Sequence, residues 1–262
     1  MNISEFKSLL PLIIGVALVY KLYKLFNDRI KESKPDRNEA FPIQWKSILK
    51  HRVDFYNRLS IEKKKEFESR IQYFLSSVKF TGIHTAINDT DRILVASGAV
   101  IMLFGFDKWH FSNLNEILIH ADDFVVPGTT HKAKGLVGYG AMEGRMMLSR
   151  KALKDGFYNP TDGRNVAIHE FTHILDKEDG KIDGVLGGLM NEIDISPWLH
   201  LVHQKMNEIE QGGASIRKYG AANQIEFLSV VSECFFEAPN KMKIEHPVLY
   251  SALDSFFNPS EP

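Results

Sequence analysis

The stretch from Asn165 to Lys177 constrains this chain more than any other, because it sets His169-Glu170 and His173 inside an otherwise apolar run. This is an H-E-x-x-H pattern. On a helix, residues i and i+4 share a face with Cβ atoms about 5–6 Å apart, so two imidazoles at that spacing can reach one metal ion. The geometry suits a single Zn²⁺. Glu170 is turned roughly 100° around the helix from His169, off the ligand line but within reach of a metal-activated water, which makes it the candidate general base. Val166, Ile168, Phe171, Ile174 and Leu175 surround the two histidines, and Asp162, Gly163 and Asn165 offer turn and cap chemistry before them. The expectation is a buried helix, since a polar triplet in an apolar segment is costly unless it is satisfied.

A catalytic zinc needs three protein ligands and an open position, so a further donor must come from elsewhere in the chain. Glu226 and Glu233 lie on a helix expected over Ala222 to Phe236, seven residues apart and so nearly on one face. Spacing alone does not choose between them, and either could be a surface residue or the partner of a buried polar group. His200 and His203 form another close pair but have no acidic or cysteine partner at ligand spacing, so they read as surface histidines. Cys234 is the only cysteine, which excludes an internal disulfide framework; its apolar neighbours suggest a buried core thiol.

At 262 residues, 44% hydrophobic and 25% charged, the chain can bury one sizeable core. Its formal net charge of −1 leaves no basic excess to argue for direct nucleic-acid binding. The N-terminus is different in kind. Leu9 to Tyr20 is uncharged, and with its flanks from Phe6 to Phe26 it approaches the ~17–25 residues of a membrane span. A cleaved signal peptide would show small residues after the apolar core, whereas here a Lys/Tyr/Phe-rich segment continues, so residues 1–26 are expected to form an uncleaved transmembrane anchor. Lys7 precedes the span while Lys21, Lys24, Arg29, Lys31 and Lys34 follow it, which orients the globular part towards the cytoplasm. Residues 27–40 read as a charged tether, leaving 41–262 as the folded domain.

Within that domain, Trp45, Ile48, Leu49, Val53, Phe55 and Tyr56 recur at helical spacing, and Ser60 can cap a helix running from Ile61 towards Val78. Asp89-Thr90-Asp91 can start another, with Ile93 to Phe104 apolar nearly all round and therefore central; its β-branched residues leave a strand as the alternative. Ile117 to Ile119, Phe124 to Pro127 and Arg145 to Ser149 read as strands, with a glycine-rich turn from Gly135 to Gly144 that lacks any phosphate-binding spacing. A small sheet thus precedes the motif helix, and helices follow near Pro197 to Gly212, Ala222 to Phe236 and Pro247 to Phe257. Arg145 to Ser149 is the candidate exposed edge on which an extended peptide would pair.

The run Asp162 to Asp176, which carries His169, Glu170 and His173, together with Gln224 to Phe236, resembles the Mlc titration factor A family over about Phe41 to the C-terminus. That resemblance implies an α+β, mainly helical, zincin-like metallopeptidase domain of gluzincin type, similar to the catalytic core of anthrax lethal factor. In the family pattern a Tyr stands seven residues before the metal-binding Glu; Tyr219 stands so before Glu226, which implies Glu226 as the third ligand and leaves Glu233 in a supporting place. Peptide-bond hydrolysis is the implied reaction, with Tyr219 stabilising the oxyanion, a peptide or protein as substrate and aminopeptidase action as one form. The family also implies a second class of function, the sequestering of a cytoplasmic transcription regulator. The sequence departs from its relatives at Arg150, where they usually carry a Trp, and this bears on substrate preference rather than on the metal.

Overall fold

The computed structural model describes residues 40–258, except 107–109, 188, 191 and 213–214. The chain divides into two units, Met1–Glu39 and Ala40–Pro262, and the helices and strands described below lie in the second. The expected anchor and nearly all of the tether lie outside the described residues, among which no helix is long and apolar enough to cross a membrane.

Helices α1 (Ile43–Arg52), α2 (Asp54–Arg58) and α3 (Ile61–Ser77) lead to strand β1 (Lys79–Ile83) and helix α4 (Asp89–Met102). The local signals are capping signals. Ser60 accepts from Lys63 N at 3.3 Å to start α3, and Asn88 and Asp91 exchange side-chain and backbone bonds in a capping box that starts α4. From Ile93 to Met102 every residue of α4 is buried, as its all-round apolarity requires, so the strand alternative does not hold.

Four strands form the main sheet in the order β1, β2 (Glu116–His120), β6 (Arg145–Ser149), β5 (Gly135–Val137). The first three run parallel, and β5 pairs antiparallel to β6 with Gly135 opposite Leu148 and Val137 opposite Met146. The short strands β3 (Phe124–Val125) and β4 (Lys132–Ala133) make a separate antiparallel pair. This corrects one expectation: Arg145 to Ser149 is an interior strand, and the edge on that side is β5, drawn from the glycine-rich stretch expected to be a turn. Interior strands are buried on both faces, which is why Met146 to Ser149 read as nearly continuous burial.

After α5 (Arg150–Tyr158) comes the motif helix α6 (Val166–Asp176), then α7 (Glu192–Glu210), a 3₁₀ turn (Lys218–Ala221), α8 (Gln224–Glu237), α9 (Pro239–Glu245) and α10 (Pro247–Phe257). Asn165 caps α6 by accepting from Ala167 N and Ile168 N at 3.1 and 3.3 Å. On its buried side, the Phe171 ring packs 4.8 Å from Phe111 and 5.7 Å from Phe74 between centroids. α4 approaches so closely that a Cβ on Gly98 would lie 2.6 Å from the Ala167 Cβ. The loop after α6 is tied down by Asp176, whose Oδ1 accepts from Gly184 N and Val185 N, and by Trp198, whose indole donates to Gly184 O at 2.8 Å. Arg150 is consumed structurally: it pairs with the fully buried Asp91 and donates to Thr85 and to Ala86 O, joining α5 to α4.

Candidate metal centre

Two helices build the site, and each presents one polar stripe on an apolar body. α6 contributes His169 and His173, with ring centroids 4.8 Å apart. From α8 come Glu226, Ser229, Glu233 and Glu237, at intervals of three and four residues, so all four line the face turned to α6 and its cap. The tip of this arrangement is a donor cluster. One ligand atom each from His169, His173 and Glu226 lies within 4.8 Å of the other two, the one such group among the described residues. Glu226 Oε2 stands 3.1 Å from His169 Nε2 and 3.9 Å from His173 Nε2.

The opposite ring nitrogens are engaged elsewhere. His169 Nδ1 meets Glu233 Oε1 at 2.7 Å, and His173 Nδ1 meets Ser229 Oγ at 3.2 Å. Glu233 is 2% exposed and is held in turn by Asn165 N, at 2.6 Å, and by the Arg217 guanidinium. Outer partners of this kind fix the tautomer and orientation of a metal-binding imidazole and leave both Nε2 atoms facing Glu226. Two imidazole nitrogens and one carboxylate oxygen, each backed by its own support, are a donor set that fits zinc. Glu233 therefore takes a place behind His169, not in the cluster.

The titration behaviour follows from crowding charges into a dry site. Burial by itself lowers the His169 pKa, but the Glu226 and Glu233 carboxylates outweigh it and raise it to about 10. His173, buried and facing His169, is lowered to about 4. Glu170 is raised to about 7, by burial first and then by the Glu226 and Glu233 charges, against the opposing pull of His169. Burial pushes the Glu226 carboxyl up, yet its bond to His169 and the charges of both histidines hold it below its usual range. Tyr219, on the 3₁₀ turn before α8, is half exposed, with its ring centroid 6.0 Å from that of His169. Partial burial and the adjacent Glu226 carboxylate raise its phenol to about 12.

A cleft of about 700 Å³ opens beside His169 and Glu170, with Lys134, Gly135, Asp155, Asn159, Arg164 and Tyr219 among its walls. Gly135 on the edge strand sits against Glu170: a Cβ there would fall within 2.6 Å of the carboxyl carbon. Nothing in the sequence singled out Gly135 among its neighbouring glycines, nor Arg217. Ser229 could have been found, because it shares the helical face of Glu226 and Glu233. His200 and His203 are exposed on α7, where the His203 ring bonds the Gln224 side chain. Cys234 is partly rather than fully buried, with its thiol raised to about 11 chiefly by burial, and it stands away from the cluster.

The family model for glucose-regulated metallo-peptidase M90 matches residues 27–258. The chain belongs to this family. An M90 metallo-peptidase is expected to hold a metal, and the His169, His173 and Glu226 cluster is where this chain assembles donors for one. An uncharacterized protein of Synechocystis sp. is 29% identical over 231 residues, 82% of this chain and 84% of its own length. Proteins named Mlc titration factor A from Yersinia pestis and Yersinia pseudotuberculosis are 30% identical over 166 residues, 57% of this chain. The match spans 60% of the length of those Yersinia relatives.

Proposed function

We propose that this M90 metallo-peptidase is a zinc-dependent peptidase of gluzincin type, in which His169, His173 and Glu226 hold one Zn²⁺ and Glu170 is the general base. The observation that carries this reading is the convergence of two supported Nε2 atoms and one carboxylate oxygen beside a buried glutamate. Zinc bound there supplies the Lewis acidity that lets water attack an amide near neutral pH. Glu170, with its pKa raised towards 7, is matched to accepting the proton of the attacking water and passing it to the leaving amine. Tyr219 donates its hydroxyl to the carbonyl oxygen as negative charge develops, which its raised pKa permits because the phenol stays protonated. The free edge of β5 gives an extended peptide main-chain partners, and Gly135 keeps that backbone close to Glu170.

The test separates ligands from base. His169→Ala, His173→Ala and Glu226→Ala should lose zinc, whereas Glu170→Gln should keep it and lose hydrolysis of a peptide library, measured on the fragment from about Pro35 onward. Cleavage products will distinguish aminopeptidase from endopeptidase action. If Glu233→Ala loses the metal while Glu226→Ala keeps it, the ligand assignment is wrong.

The name of the Yersinia relatives supports a second reading, in which this chain titrates a transcription regulator by binding it. Persistence of its cellular effect in Glu170→Gln would favour binding; loss would favour hydrolysis. For both readings we propose a single-pass anchor at residues 1–26 with the catalytic unit in the cytoplasm, supported by the apolar run and the lysines that follow it. Full-length protein should then sediment with membranes and resist high-salt extraction, and recovery of uncleaved protein in the soluble fraction would remove the anchor.

A further inference from the structure

Tyr219 is half exposed and sits on a turn of only four residues, Lys218–Ala221, so the place of its hydroxyl depends on how that turn is fixed. Two internal bonds close the turn: Gly220 N donates to Arg217 O at 3.0 Å, and Ala222 N to Tyr219 O at 3.1 Å. They give it shape without tying it to the metal centre. Two points on α8 do that. Gly220 comes so near Val230 that a Cβ would lie 3.3 Å from its Cγ1, and the Arg217 guanidinium donates from Nη2 to Glu233 Oε1. Val230 and Glu233 are three residues apart and share a face of α8, so the turn is held along that face at both ends.

The two holds differ in kind. The contact at Gly220 is apolar and sets no direction, whereas the bond from Arg217 is charge-assisted and directional. Its acceptor is itself a fixed point. Glu233 is 2% exposed, and its Oε2 accepts from the backbone N of Asn165, the cap of the motif helix, at 2.6 Å. The oxygen that receives Arg217, Oε1, also meets His169 Nδ1 at 2.7 Å. One carboxylate oxygen thus joins the ligand His169 to the residue that opens the Tyr219 turn. Arg217 Nε is buried without a partner, so among the described residues Glu233 is what orients this guanidinium.

We infer that Arg217 is a positioning residue, which through Glu233 registers the Tyr219 hydroxyl against His169, so that metal ligand and oxyanion donor are set from one carboxylate. This role rests on the zinc-peptidase reading above. Arg217→Met removes the guanidinium and keeps an unbranched apolar stem. At saturating zinc its kcat should fall about 10- to 100-fold with KM within about twofold, since a small displacement of a catalytic group costs on that order. In the Tyr219→Phe background the same substitution should lower kcat by less than about threefold, because the hydroxyl it positions is already gone. Zinc affinity, measured by competition with a chelator, should drop about 10-fold or more as Glu233 loses its hold behind His169. In metal-free protein the amides of Gly220 and Ala222 should exchange with deuterium about fivefold faster or more, as the turn loosens.

Arg217→Lys covers the case in which that substitution unfolds the chain, because it keeps a cation on the buried carboxylate but lacks the reach of the planar fork. Its kcat should fall about 3- to 10-fold, and hardly at all in the Tyr219→Phe background. Multiplicative losses in the double variants, unaltered exchange or unaltered zinc affinity would each overturn the inference. So would a raised KM with kcat intact, which would mean that Arg217, a lining residue of the cleft, grips the substrate directly. A parent protein that binds no zinc would sink the reading of the site and this role with it, whereas any of those results with zinc bound sinks the role alone.

Discussion

Position 135 and Glu170 share a space that only glycine leaves open, since an added Cβ would lie within 2.6 Å of the carboxyl carbon. Gly135→Ala must therefore either move the edge strand or turn Glu170 away from the position in which it is proposed to act as base. The expected outcome is full zinc content, unchanged folding and a kcat lowered by about 10- to 100-fold, since small misplacements of a catalytic group cost on that order. Wild-type turnover with normal zinc would show that Glu170 does not act from the position described. Tyr219→Phe examines the oxyanion role proposed for its hydroxyl. It keeps the ring 6.0 Å from His169 but removes the hydroxyl, so zinc and KM should hold while kcat falls about 10²-fold, as for loss of one oxyanion donor. A kcat within about twofold of wild type would return Tyr219 to a packing role. The histidines and Glu170 were legible in the sequence because their spacing is itself the geometry. Gly135 was not, because its importance lies in a contact across the fold, and the distinction between Glu226 and Glu233 came from the family pattern, since both occupy the same face of α8.

At the scale of elements, the motif helix owes its position to one unusually close crossing. Gly98 of α4 faces Ala167 of α6, and a side chain at 98 would place Cβ atoms 2.6 Å apart. Gly98→Ala should destabilise the fold by about 1–3 kcal/mol, the usual cost of overpacking a core, read from the midpoint of urea unfolding. Ala167→Gly should recover part of that loss when combined with it, although its own helix-propensity cost of about 1 kcal/mol stays. Additive effects in the double variant would mean that the two helices do not meet where described. The helices themselves were readable: caps at Ser60 and Asn165 and the apolar faces behind them mark α3 and α6 within a residue or two. Strands were harder. β1 follows directly on a helix and has no fully buried residue, so it shows no alternation, and β5 has only three residues inside a glycine-rich stretch. Arg145 to Ser149 was found as a strand but misplaced at the edge, because sequence alternation tells which face is buried and nothing about lateral neighbours.

Across the whole molecule, the formal charge of −1 conceals a concentration of buried acid along one helix. Glu233 and Glu237 of α8 are 2% and 7% exposed, and both reach the segment that caps the motif helix. Glu237 accepts from Arg164 N and Asn165 Nδ2, yet burial, outweighing these bonds, raises its pKa from the usual 4.5 to about 8. The folded chain therefore binds a proton at this site more readily than the unfolded chain does. With more protons bound in the native state than in the unfolded one, stability falls as pH rises between the unfolded and folded pKa values. Glu237 should thus take away up to about 5 kcal/mol as pH is raised from about 4.5 to about 8, at ~1.4 kcal/mol per unit of pKa difference, with little further change from this group above that. Glu237→Gln, neutral and close in shape to the protonated acid, should leave stability near its low-pH value and flatten this part of the profile. The measurement is urea unfolding of zinc-loaded parent and variant across that pH range, compared as differences so that the histidines of the metal centre cancel. Parallel profiles for the two proteins would mean that Glu237 is ionised in the fold, carried by its two hydrogen bonds after all.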